Sequence, residues 1–241
     1  MTPLAAVLLL SLVHLGAGQL EFLRANPRSR LLSFASGVSI AFVFVHLLPQ
    51  IAATQPLVAD AAAGSGGFVE RHVWLIALAG LTFFYGLERM VLRARRPSRA
   101  LADGSAAGGG TYWLHITAFA LYNALVGFLL VQPIGSRSGD PILFALALGL
   151  HFLVNDLGLR AHYKRHYRGF GQWVLVLAPI FGWATARNSE LPEAGLAALL
   201  SFLAGGVAMN TLKEELPEDR EARFWVFAIG AAVYSALALL F

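Results

Sequence analysis

Eight apolar runs, parted by loops, make up most of this 241-residue chain. Each run is close to the roughly 20 residues that a helix needs to cross a bilayer. In lipid the backbone must satisfy its own hydrogen bonds, which leaves helices and closed barrels. The runs cover residues 3–22, 31–51, 72–92, 111–132, 141–160, 170–186, 194–212 and 224–241. The chain therefore reads as an all-α integral membrane protein of eight transmembrane helices, a single transmembrane domain over residues 1–241. Only 13% of residues are charged, about half the share in a soluble domain, so little length is left for a separate soluble domain. A cleaved signal peptide is the rival reading of the first run, because Gly16-Ala17-Gly18 is small enough for cleavage. The basic stretch that should precede such a peptide is missing, which favours a retained helix. Residues 52–70, rich in Ala and Gly, read as a loop. There is no cysteine, which excludes disulfides and thiolate metal sites.

The net charge of +4 invites a nucleic-acid partner, but position decides against it. The basic residues lie in short loops between apolar runs, as the positive-inside rule expects. With the N-terminus outside, fifteen Lys and Arg fall in inner loops and adjacent helix ends, and three (Arg71, Arg137 and Arg187) fall outside. That asymmetry puts both termini outside. Residues 93–110, basic and then Gly-rich, read as a flexible cytoplasmic loop. The stretch from Arg160 to Arg168 is basic and aromatic, as an interfacial anchor should be.

Polar groups inside the runs carry the functional signal. The fifth run holds His151, Asn155 and Asp156. His151 and Asn155 are four apart and stand one above the other on a helix; Asp156 follows about 100° round. Asn123 lies halfway along the fourth run, at a depth similar to His151, near the midplane where transporters commonly bind substrate. His115 shares a face with Tyr122, nearer the inner end. His46 falls near the outer end of the second run, and Asn210 near the inner end of the seventh. A neutral imidazole with carboxylate or amide oxygens could hold a cation of the zinc, iron or manganese class. The same groups could equally hydrogen-bond across helices as packing glue. Asp156 needs a partner, a proton, a cation or access to water, because an unpaired carboxylate in lipid is costly. His14 and His72 read as interfacial or packing residues, His162 and His166 as part of a solvated face, and Glu88 as the partner of Arg89. Glu214-Glu215-Leu216-Pro217-Glu218-Asp219 reads as a solvated acidic loop, or as an inner metal-exit or regulatory patch. Small residues, among them Gly37, Ala41, Gly205 and Gly206, allow close helix packing.

Several of these stretches come in an order that resembles the ZIP (Zrt-, Irt-like) metal transporters. The second run, with Gly37 and the ending His46-Leu47-Leu48-Pro49-Gln50, is similar to that family's glycine-containing second helix ending in His-Leu-Leu-Pro-Glu. The third ends Tyr85-Gly86-Leu87-Glu88-Arg89, and the seventh runs from Ala204-Gly205-Gly206 to Leu216-Pro217-Glu218. The resemblance spans nearly the whole chain and implies an eight-helix bundle. It departs at the chemistry. Phe119 stands where the family's fourth helix has a histidine four before Asn123. The family's fifth-helix His-Glu-x-Pro-His/Glu is here His151-Phe152-Leu153-Val154-Asn155. A dinuclear site is lost on this reading, and a single reduced site is left.

The expected function is transport of zinc, iron or manganese toward the cytoplasm through a reduced site between the fourth and fifth helices. His151, Asn155, Asn123 and Asp156 would be core ligands, with His46, His115, Glu214 and Glu215 along the route. The ion is cargo, no prosthetic group is expected, and the chain is not an enzyme. Its partners are the lipid bilayer and divalent metal ions, with a homodimer as a candidate assembly and a bacterial inner (plasma) membrane as the expected location. The alternative is a ZIP-like scaffold that no longer transports and binds a lipid, a partner or a sensing ligand.

Overall fold

The structure, a computed structural model, describes residues 2–24, 29–61, 72–94, 107–132, 141–215 and 223–240. Among these residues the secondary structure is helical, with no strand. The helices are α1 (Pro3–Gly16), α2 (Arg30–Ala41), α3 (Leu48–Ala61), α4 (His72–Ala94), α5 (Ala107–Leu129), α6 (Pro141–His166), α7 (Gln172–Ala186), α8 (Glu193–Glu215) and α9 (Phe224–Leu240). Seven spans are long and apolar enough to cross a membrane, with α2 and α3 counted as one. The eighth apolar run is the shorter helix α9, of 17 residues.

Local chemistry accounts for the helix starts and kinks. Ser29 caps α2 by accepting from the Leu32 amide (3.2 Å), and Thr2 does the same for α1 through Ala5 (3.3 Å). Each satisfies one of the donors that a helix start leaves orphaned. Between α2 and α3 the helix widens into a π turn over Phe42–Leu47. Pro49 stands two residues beyond its end; it has no N–H to give Val45, and its ring crowds that carbonyl, so the wider turn relieves the clash. The helix then continues through Pro56 to Ala61. Residues 52–61 are thus helical where the sequence suggested a loop, because a proline in a packed membrane helix kinks it without ending it. Likewise α6 runs on through the basic stretch to His166. The break comes at Gly169, whose φ of −88° and ψ of −119° are non-helical.

Three helix pairs cross at very short range: α2 with α9, α4 with α8, and α5 with α7. Each crossing is reciprocal. A Cβ on Gly37 would meet the Phe227 carbonyl, and one on Gly230 would meet that of Phe34. Gly80 faces Phe202 and Gly205 faces Ala77; Gly127 faces Pro179 and Gly182 faces Ala124. With no hydrophobic drive between helices in lipid, such backbone contact is what holds a bundle together. Gly37 and Gly205 were legible as packing residues in the sequence.

Helix α6 is the axis of the bundle. Its membrane window is 72% buried, against 33% for those of α1 and α4, and every residue from His151 to Arg160 is buried. α1 presents Leu4, Leu8, Leu12 and Leu15 outward and turns Val7, Leu10, Ser11 and His14 inward. Residues 95–106 of the expected cytoplasmic loop lie outside the described residues.

Candidate functional site

Two buried polar centres meet on α6. In the first, His151 is 1% exposed. Its Nε2 accepts from the Tyr122 hydroxyl (3.0 Å) and from Asn155 Nδ2 (2.9 Å). Its Nδ1 then carries the proton and donates to Thr211 Oγ1 (3.2 Å), whose hydroxyl donates to the Val207 carbonyl (2.8 Å). With this tautomer the Tyr122 and Asn155 donors share the single Nε2 lone pair, and the Nδ1 proton has its own acceptor. The i, i+4 spacing of His151 and Asn155 on α6 makes their contact, while α5 supplies Tyr122 and α8 supplies Thr211.

The second centre lies toward the C-terminal ends of α1 and α6. His14 is 2% exposed and Asp156 1%. His14 Nδ1–H donates to Asp156 Oδ2 (2.9 Å), and Asn123 Nδ2 donates to His14 Nε2 (3.0 Å). The Tyr167 hydroxyl donates to Asp156 Oδ1 (2.8 Å). Burial first, and then the facing Asp156 carboxylate, push the Tyr167 phenol well above its usual range, so it stays protonated and donates. The Arg160 guanidinium lies over the Tyr167 ring, 5.2 Å from its centre, one helical turn beyond Asp156. Gly18 makes room for it, since a Cβ there would crowd that guanidinium. From α7, Gln172 Nε2 donates to the carbonyls of His14 (2.9 Å) and Leu15 (3.3 Å). It thereby satisfies two acceptors at the end of α1 and fixes the turn that carries His14.

Phe152 separates the centres. Its ring stacks on His14 (4.9 Å between centroids, 28° between planes) and lies 6.3 Å from the His151 ring. The four expected ligands are therefore divided. His151 and Asn155 stand together, whereas Asp156 and Asn123 meet at His14. Among the described residues no three His, Asp or Glu side chains converge.

The route residues are spread along the bundle. His46 sits in the π turn, stacked on Phe42 (5.4 Å). His115 Nδ1 is 2.8 Å from the Tyr163 hydroxyl, with its ring against Phe119 (4.9 Å). Phe119 itself packs edge-on to Phe84 (5.9 Å). Asn210 is buried, and among the described residues its Nδ2 has no hydrogen-bond partner; the same holds for Gln50 Oε1 on α3. Glu88 pairs with Lys213 of α8 (2.7 Å), where the sequence suggested its neighbour Arg89. The side chains of Glu214, Glu215, His72, His162 and His166 lie outside the described residues.

The sequence did not single out His14. Both faces of α1 are apolar, so its sequence carries no periodic signal that could have found it.

The chain is similar to a metal transporter. Zinc transporter ZIP13 of Pongo abelii is 26% identical to it over 197 residues, which cover 78% of this chain. The chain spans 58% of the length of that relative. No family model matches.

Proposed function

We propose that this chain is a ZIP-like membrane transporter that moves divalent cations of the zinc, iron or manganese class toward the cytoplasm, with both termini outside. The observation that carries the reading is the set of His, Asn and Asp side chains buried along α5 and α6. Groups of this kind are expensive inside a membrane and mark ion and substrate pathways. The similarity to a zinc transporter supports the same class of cargo. His151, Asn155, Asn123 and Asp156 are the proposed core groups, with His46 and His115 along the route and the acidic Glu214 and Glu215 at its inner end. Mixed nitrogen and oxygen donors suit a passing ion, which must bind well enough to enter and weakly enough to leave.

One observation favours a second reading. Both nitrogens of His151 are already engaged within the bundle, as they would be in a scaffold that no longer transports. An apolar cleft between α1 and α6, lined by Leu9, Val13, Leu150 and Leu153 among others, is where such a scaffold would take a lipid chain. Uptake of zinc, iron, manganese and cadmium into proteoliposomes separates the two. The transport reading expects flux of at least one cation above that of protein-free vesicles. No flux of any of them with well-folded protein would refute it.

A further inference from the structure

The proposed core groups belong to α5 and α6, so a cation bound for the inner side leaves past the inner ends of these two helices. On the proposed orientation those are the Tyr112 end of α5 and the Tyr163 end of α6. Rings shut the interface there. Tyr112, Phe119 and Tyr167 are buried in one cluster with Ile116, Leu159 and Leu175. Tyr163 stands edge-on to Tyr112, with 5.0 Å between centroids, and His115 packs on Phe119 at 4.9 Å. An apolar constriction of this kind stops ions by excluding water.

A polar contact ties the two helices together inside this plug. His115 Nδ1 and the Tyr163 hydroxyl lie 2.8 Å apart. Helix α5 is itself held to α7, because Gly127 and Gly182 let the two backbones touch. The Tyr112 hydroxyl adds a hydrogen bond from the Gly171 amide, in space that a Cβ on Gly171 would fill. Helix α6 meets α7 differently. Their junction passes through Gly169, which is exposed and non-helical, and a Cβ there would meet nothing within 4 Å. The end of α6 thus has a joint about which to turn against the α5–α7 pair. A few such positions at element ends can absorb the backbone change of a hinge.

We propose that the inner ends of α5 and α6 form a gate, closed in this structure, with His115 and Tyr163 as its latch and Gly169 as its joint. The proposal rests on the transport reading and names where the route is shut. Parting Tyr163 from His115 opens the α5–α6 interface from the inner side toward Tyr122.

The chain has no cysteine, so one introduced thiol reports on its own position. Ala118 is 6% exposed and lies about one turn outward of His115 on α5. The rate at which a charged maleimide labels Ala118→Cys in the purified full chain, in micelles, tests the gate with Tyr163 intact and with Tyr163→Phe. The second substitution keeps the ring and removes the hydroxyl. Loss of that hydrogen bond should raise the open fraction, and with it the labelling rate, by about threefold to tenfold. Ala197→Cys, buried against Val58 and Val73 near the opposite end of the bundle, should not respond. An unchanged rate at Ala118→Cys overturns the proposal. An equal rise at both cysteines is general loosening and overturns it as well. Should Tyr163→Phe fail to fold, His115→Leu removes the other half of the latch and decides by the same two rates. Labelling needs no flux, so an unmoved rate refutes the gate and leaves the transport reading to the uptake assay.

Discussion

Replacing His14 with Leu removes two things at once from a place only 1–2% exposed. Asp156 loses the donor at 2.9 Å and keeps the Tyr167 hydroxyl. Asn123 loses the acceptor of its amide proton. A hydrogen bond to a charged group is worth about 1.5–3 kcal/mol, and a stranded buried donor costs about 1–3 kcal/mol more. His14→Leu should therefore destabilise the chain by about 3–5 kcal/mol, the range seen when one member of a buried pair is removed. Asp156→Asn keeps an oxygen for Tyr167 and removes the charge, so the double variant no longer strands a carboxylate. Its cost should fall short of the sum of the two single variants by about 2 kcal/mol, as coupled neighbours do. Unfolding of the full chain in mixed micelles, followed by tryptophan fluorescence, reads all three. A cost for His14→Leu below about 1 kcal/mol, or strict additivity, would refute the hydrogen-bond account of this centre.

The same assay checks four further expectations. Thr211→Val leaves the His151 Nδ1 proton without its acceptor and should cost about 1–3 kcal/mol, while Thr211→Ser should be tolerated. Gly182→Val pushes a side chain into the Ala124 carbonyl and should cost about 3 kcal/mol or more, at the upper end of overpacking penalties. By contrast Gly86→Ala, with open space around it, should stabilise α4 by about 0.4–1 kcal/mol. Glu88→Gln breaks a partly exposed pair with Lys213 and should cost no more than about 1 kcal/mol, less in high salt.

The fold was largely legible because run length is a direct readout of bilayer thickness. Positions where the reading slipped share one cause. Pro56 and the basic turn after Arg160 carry loop signals calibrated on water-exposed chains, yet both lie within helices. The pairing of His151 with Asn155 followed from spacing on one helix. The division of the site did not, because which helices lie beside α6 is a tertiary contact that no pattern within α6 encodes. His14 was missed for a related reason. In a membrane helix the lipid face and the buried face are both apolar, so periodicity does not mark which way a lone polar residue points. Near the end of its run, His14 read as an interfacial or packing residue. Only its contacts with α5 and α6 show it at the centre of a buried network.

The most direct test of the central claim is the initial rate of zinc, iron and manganese uptake into proteoliposomes, with wild type and Asp156→Asn measured side by side. The account predicts uptake of at least one of these ions by wild type, and loss of most of that flux in a folded Asp156→Asn variant. Equal flux in both would contradict a route through the α6 carboxylate, and no flux in either would contradict transport itself.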